Sequence, residues 1–400
     1  MQLGWIDFSR EDREKVLDVI NLLQEPGAVD EIGIGVVRDA FANIFFPGTS
    51  TVQTGAKYFL IVPYILKEAT DGRYRNYDLR KILQKIDDEE KSCGIRLMHN
   101  CPGEEGIIGR RVLPQRWVAR KPSSIYWNGI RTYGICTQDI SIPELVKASI
   151  ILHANNQFAN WGNKGDTADS DRDDADAGDN LSTQFFNVPD DFYKDWRTSL
   201  TIDLTPSEAE FLRKMIETNV PDALMGYLLK NNVDVAKYTS FEALYEDIGL
   251  SVPAELNRLM KLACEFNRLV YAAHVRYNYI LFNGQNDDAV EEWTYIEKNM
   301  QYMMAVDIDD VLKTLRISNP NLRNFLKSFK NALLAGDLAT ADQVLINREI
   351  SIKTRNRAKL CKREDYSDYK WVGGRYLDFR FSSAKRILLD IYHGEEVSHV

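Results

Sequence analysis

Between Pro253 and Tyr277 apolar residues recur three and four apart (Leu256, Leu259, Met260, Ala263, Phe266, Leu269, Val270, Tyr277) until Asn283-Gly284 stops the pattern. A helix that long and that apolar has to be buried, so it predicts a helical protein built around a central element. The chain of 400 residues has room for two or three domains at about 150 residues each. With 44% hydrophobic residues it can fill a substantial core. No run of about 18 apolar residues occurs, so no transmembrane helix is expected. Five scattered cysteines and a start without a basic, apolar leader fit a reducing compartment, hence a cytoplasmic protein.

Other helices announce themselves by caps and spacing. Ser9 and Asp12 form a capping box for a helix over 9–25, which Pro26-Gly27 ends. Val36 to Phe46 is apolar and stops at Pro47, and a further helix is expected from near Thr51 until Pro63 kinks or stops it. Leu79, Ile82, Leu83 and Ile86 repeat the helical spacing. Thr205-Pro206-Ser207-Glu208 combines an N-cap, Pro at the first helical position and a closing Glu. Residues 94–140 are broken by Pro102-Gly103, Gly106, Gly109, Pro114 and Pro122, with Ile107-Ile108 and Trp117-Val118 as short strand candidates. Short helices with such a ribbon would suit a winged-helix-like unit. Leu377, Phe379 and Phe381 alternate with polar neighbours, which predicts a terminal strand. The fold class expected is therefore mainly α with minor β. An N-terminal helical domain (1–161) is followed by an acidic loop or linker (162–183) and a C-terminal helical domain (184–400).

The chemistry-bearing motifs are few. Gly48, Gly55 and Lys57 evoke a phosphate-binding loop, but six residues separate the glycines and Tyr58 stands where the hydroxyl belongs. What survives is a helix N-terminus able to face one anion, weighed against plain capping. Cys93, His99 and Cys101, with remote Cys136, lack the paired short spacing of a zinc site. Asp169, Asp171 and Asp173 match the first positions of a calcium loop, but Asp174 replaces its glycine and Asn180 its closing Glu. His274 lies on an apolar helix and reads as a hydrogen-bonded core residue. Neither a metal nor a cofactor is expected.

Net charge is −9, so attraction to a polyanion has to be local. The best lead is the run Lys353, Arg355, Arg357, Lys359, Lys362 and Arg363, six cations without an acid, followed by Tyr366, Tyr369 and Trp371. Cations hold phosphates and interleaved aromatics stack on bases. A secondary basic group comprises Arg110, Arg111, Arg116, Arg120 and Lys121. The competing reading is a solvated basic face, or an internal dock for the acidic loop.

Four blocks carry a resemblance: Trp5-Ile6-Asp7-Phe8; Arg38-Asp39-Ala40-Phe41 through Gln53-Thr54; Pro122-Ser123-Ser124-Ile125-Tyr126-Trp127; and Leu377-Asp378-Phe379-Arg380 through Asp390-Ile391. Together they resemble a bacterial family of unknown function over nearly the whole length. Its members look to be encoded near anti-phage and DNA-modification genes, including helicases and phospholipase-D-like nucleases. The resemblance implies a place in a defence assembly, with co-encoded defence proteins as partners, DNA as a possible ligand and no membrane. It carries no catalytic residue to transfer. It also implies an Arg where this chain has Gly55, and a Tyr where it has Phe379. The reading is a non-catalytic, nucleic-acid-contacting subunit. A metal-dependent nuclease and a protein-only scaffold stand as alternatives.

Overall fold

The computed structural model describes residues 30–162 apart from 75, and 185–396 apart from 193 and 194. The helix expected over 9–25, the calcium-like aspartates and the stretch 163–183 lie outside the described residues. In chain order the helices are α1 (Gly35–Phe45), α2 (Tyr58–Glu68), α3 (Leu79–Asn100), α4 (Pro122–Thr132), α5 (Ile142–Gly162), α6 (Pro206–Asn219), α7 (Leu224–Lys230), α8 (Phe241–Ile248), α9 (Ala254–Leu281), α10 (Asp287–Lys298), α11 (Met300–Met303), α12 (Ile308–Thr314), α13 (Pro320–Leu334), α14 (Leu338–Lys353) and α15 (Phe381–Glu396). The protein is mainly helical. Among the described residues the β pairing is an isolated antiparallel bridge, Cys136 to Phe186. No described helix is long and apolar enough to cross a membrane.

The chain divides into two compact units, each assembled from separated segments. One joins the segment ending at Phe41 to Tyr245–Phe379; the other joins Ala42–Leu244 to the segment from Arg380 onward. In the first unit α9 is the central element, with Met260, Ala263, Phe266, Leu269, Val270 and Tyr277 all buried. It packs against α10, α12 and α14, and α13 lies on α14. Asn283 and Gly284 at its end both take positive φ, and the Gly284 N–H reaches back to the Tyr279 carbonyl at 2.9 Å.

In the second unit α2 is buried from Tyr58 to Lys67. It begins later than expected, at Tyr58 rather than near Thr51, and runs through Pro63 to Glu68. Residues 48–57 form a turn that Gln53 closes: its Oε1 accepts from the Ser50 N–H (3.0 Å) and its Nε2 donates to the Gly48 carbonyl (3.1 Å). Gly48 has φ +79° with the Gly129 backbone 3.1 Å from where a Cβ would sit, so a larger residue there would be strained. The capping box at α6 forms as its sequence dictates: Glu208 Oε2 accepts from the Thr205 N–H at 2.8 Å, and Thr205 Oγ1 accepts from the Glu208 N–H at 3.3 Å. Helix α15 packs along α6.

Two strand expectations are corrected. Ile107-Ile108 and Trp117-Val118 lie in consecutive turns and bends between α3 and α4, so the ribbon of a winged-helix-like unit does not form there. The terminal strand is likewise absent. Leu377 and Phe379 are buried as the alternation requires, but no strand pairs with them among the described residues. Phe379 (φ +49°) and Arg380 (φ +65°) then turn the chain into α15. Leu377 ends the stretch held along α9, Phe379 lies in the turn and Phe381 opens α15, so their alternating burial needs no β ladder.

Candidate functional site

The basic segment starts where α14 ends. Thr354 takes φ +68°, a costly conformation for a β-branched residue, and its carbonyl accepts from the Arg357 and Ala358 N–H groups at 3.1 and 3.0 Å. The turn is held from below by Glu349, which is fully buried. Its carboxylate accepts from the Lys359 and Leu360 N–H groups (3.0 Å each), from the Tyr277 hydroxyl (2.8 Å) and from Lys353 Nζ (3.3 Å). A carboxylate removed from water needs such a set of donors.

This arrangement divides the six cations. Lys353 and Lys359 point inward and share buried Glu31, Lys359 at 2.6 Å. Arg363 donates to the Leu360 carbonyl (3.2 Å) and to Asn283 Oδ1 (2.9 Å). Arg355, Arg357 and Lys362 face solvent, and among the described residues none of the three has an ion-pair partner. The outward charge is thus half of what composition promised.

Beyond the turn, two asparagines of α9 hold residues 372–377 against the helix. Asn278 accepts from the Val372 N–H (2.8 Å) and donates to its carbonyl (2.9 Å). Asn267 does the same for Leu377, at 2.6 and 3.1 Å. Eleven residues of helix rise about 16 Å, a distance that five residues of chain cover only when nearly extended. Gly373 and Gly374 permit the approach: a Cβ on Gly373 would lie 2.9 Å from Glu31 and one on Gly374 2.8 Å from His274. His274 is buried and hydrogen-bonded through Nδ1 to the Arg375 carbonyl (3.1 Å), and burial pulls its pKa below the usual imidazole value. Outward, the Arg375 guanidinium covers the Trp371 ring at 4.1 Å, and Tyr376 stacks on Tyr271 at 3.7 Å and 12°. The two asparagines were not singled out from the sequence. Their signal was present, as amides at buried positions of an apolar helix.

The secondary basic group belongs to the other unit. Arg111 and Arg116 are exposed and Arg120 is half-buried. Arg110 donates to the Glu104 carbonyl, and Lys121 pairs with Asp87.

Parts of three of the blocks that carry the resemblance lie in that unit, where Thr54, Tyr126 and Asp390 act as fasteners. Asp390 of α15 accepts from the Ala56 N–H at 2.6 Å, just ahead of α2. The Tyr126 hydroxyl of α4 accepts from the Thr54 and Gly55 N–H groups (2.8 and 3.1 Å) and donates to the Gly55 carbonyl (2.8 Å). Lys57 pairs with Glu208 at 2.5 Å, with both side chains buried. Three amides just ahead of the helix are therefore already occupied, and the helix itself starts after Lys57 without a side-chain cap. Gly55 places its Cβ position 3.1 Å from Asp390 Oδ2. Burial pushes Asp390 up to about 6, and nearby Asp203 adds to the rise while Arg386 and His393 oppose it.

Burial also raises the Cys93 thiol to about 12 and raises Cys136, so neither behaves as a ready metal-binding thiolate. Among the described residues no three His, Cys, Asp or Glu side chains gather as metal ligands.

A family model described as a family of unknown function (DUF6361) matches residues 1–291. The fasteners of the second unit up to Glu208 and the whole of α9 fall inside that match, whereas the basic turn at 353–363 and Asp390 fall beyond it. No curated protein and no solved structure matches the chain.

Proposed function

Since the chain belongs to this family, whose function is unknown, we propose from its own surface that it is a non-catalytic subunit that holds a nucleic-acid backbone. Its setting would be a bacterial anti-phage defence assembly, as the resemblance implies. The observation that carries the reading is the solvent-facing trio Arg355, Arg357 and Lys362 on a turn fixed by a buried carboxylate, in a chain of net charge −9. Fixed cations on an otherwise anionic molecule concentrate phosphate locally, and each contact releases a counterion. Lys353 and Lys359 serve the turn's structure instead of the ligand.

The test is fluorescence anisotropy with labelled DNA across a salt series. Affinity should fall steeply between about 50 and 200 mM salt. The combined variant Arg355→Ala, Arg357→Ala, Lys362→Ala should reduce the slope of log affinity against log salt by about 2 to 3. Absent or salt-independent binding, or an unchanged slope in the variant, overturns the reading. Stable co-purification with partner proteins and no DNA affinity would favour the scaffold alternative.

A further inference from the structure

We infer that a small cavity in the second unit, floored by the Lys57–Glu208 ion pair, is a binding site for a primary carboxamide. The cavity and the basic turn belong to different units, so this site is independent of the phosphate-holding surface.

The cavity measures about 50 Å³, room for about four atoms the size of a water. Its walls are aromatic. Tyr64 of α2 lies against Phe192 (ring centroids 4.7 Å apart) and against Trp196 (5.2 Å). Trp196 is fixed in place: its Nε1 donates to Glu68 at 3.0 Å, and the Arg197 guanidinium covers its ring at 4.4 Å. The floor is the ion pair, with both side chains buried. Lys57 Nζ donates to Glu208 Oε2 (2.5 Å) and to the Asp203 carbonyl (3.0 Å), so among the described residues one of its three N–H groups is unspent. Glu208 Oε2 also accepts from the Thr205 N–H, whereas Oε1 accepts only from the Tyr64 hydroxyl, at 3.3 Å. The pair thus keeps one donor and one acceptor in reserve. Water makes poor use of them, because it wants two to four polar partners and aromatic walls supply none. A cation meets repulsion from Lys57 and an anion from Glu208. A neutral carboxamide suits both groups: its carbonyl accepts from Lys57 and its NH2 donates to Glu208, two charge-assisted bonds, while its planar face lies on the rings. Exposed Asp191 and Thr205 also line the cavity, so its mouth meets solvent and the remainder of the ligand can project outward. The amide can belong to a free small molecule or to an Asn or Gln side chain.

The experiment is fluorine NMR of the full-length protein labelled with fluorotryptophan, the Trp196 signal being assigned through Trp196→Phe. Propionamide, propionate and propylammonium share a shape and differ in charge. Propionamide should shift the Trp196 signal saturably below about 100 mM, the range that ordinary ligand efficiency sets for about five heavy atoms. The two ions should not. Phe192→Ala removes one wall and should weaken propionamide by about 2- to 10-fold. Glu208→Gln can still close the capping box and leaves Lys57 as the one charge of the floor. Propionate should then bind in preference to propionamide, an exchange that misfolding cannot produce. A peptide with a single glutamine that binds more tightly than propionamide assigns the amide to a side chain, and one that binds more weakly assigns it to a free small molecule. No saturable shift with propionamide, an equal response to all three ligands, or a Glu208→Gln protein that keeps the wild-type preference overturns the site.

Discussion

Glu90 on α3 is 2% exposed, and its carboxylate accepts from the Ser123 N–H (2.5 Å) and hydroxyl (3.2 Å) at the start of α4. Burial pushes its pKa up to about 7; Asp87 adds to the rise, while the Ser123 bonds and Lys121 oppose it. The Tyr58 hydroxyl and Cys93 thiol are its other titratable neighbours, both raised by burial and neutral at physiological pH. A carboxyl raised on folding binds more protons in the native state between its usual value and 7, so stability falls as pH rises through that window. Above pH 7 the ionised form opposes folding by something on the order of 3 kcal/mol. Glu90→Gln keeps an acceptor oxygen for the Ser123 N–H and cannot ionise. It should match the parent near pH 5 and melt several degrees higher at pH 8. A lower melting temperature at pH 8 would mean that the charge is net favourable at the helix start. His274 works in the opposite direction, favouring the fold as pH rises to its usual value, so the difference between variant and parent is the quantity to read. None of this was visible in the sequence, where Glu90 is one of many acids on a polar-looking helix. The pairing of Lys353 with Glu349 was visible as an i, i+4 spacing; the pairing with Glu31, more than 300 residues away, was not.

Elements whose ends are set by local chemistry were legible. Helix α9 begins after Pro253 and ends at Asn283-Gly284, and α6 forms its capping box, because the residues that decide these boundaries sit beside them. Elements set by distant partners were not. The hydroxyls near Thr51 were expected to cap α2. In the structure α2 starts at Tyr58 with no side-chain cap, and the Ala56 N–H just ahead of it is held by Asp390, 334 residues away in the chain. The strand expected from the alternation of Leu377, Phe379 and Phe381 does not form; the stretch drawn out along α9 is the preceding 372–377, whose end residues find their backbone hydrogen bonds without a neighbouring strand. Here two side-chain amides supply them, which makes a prediction. Asn278→Ala strands the Val372 N–H and carbonyl, both otherwise satisfied by that one side chain. Each buried group left unpaired costs about 1–3 kcal/mol, so urea unfolding should show a loss of about 2–4 kcal/mol. Asn267→Ala should do the same at Leu377. A loss below about 0.5 kcal/mol in both would mean that water replaces the amides and the segment 372–377 is not held by them.

At the scale of the whole molecule the charge and helix content followed from composition, but the path of the chain did not. Each unit is completed by a segment remote in sequence: residues 30–41 bring Glu31 to Lys353 and Lys359, and α15 brings Asp390 to the start of α2 and lies along α6. Periodicity reports how each helix is sided and carries no record of which distant helix covers it. This connectivity bears on a domain boundary at 162–183. A fragment of residues 1–161 would lack α6 and α15, so α2 would lose Glu208 for Lys57 and Asp390 for Ala56. A fragment of residues 184–400 would lose Glu31 beneath two lysines and Lys57 beside buried Glu208. Lysines buried against a missing carboxylate cost several kcal/mol, comparable to the whole stability of a domain. Expressed singly, each fragment should therefore give circular dichroism of reduced helicity and no cooperative melt. Expressed together, the two should co-purify and regain the melt of the intact chain, since both partners of every fastener named above are then present. Two fragments that each fold and melt cooperatively on their own would show that 162–183 separates independent domains and that the long-range fasteners are dispensable.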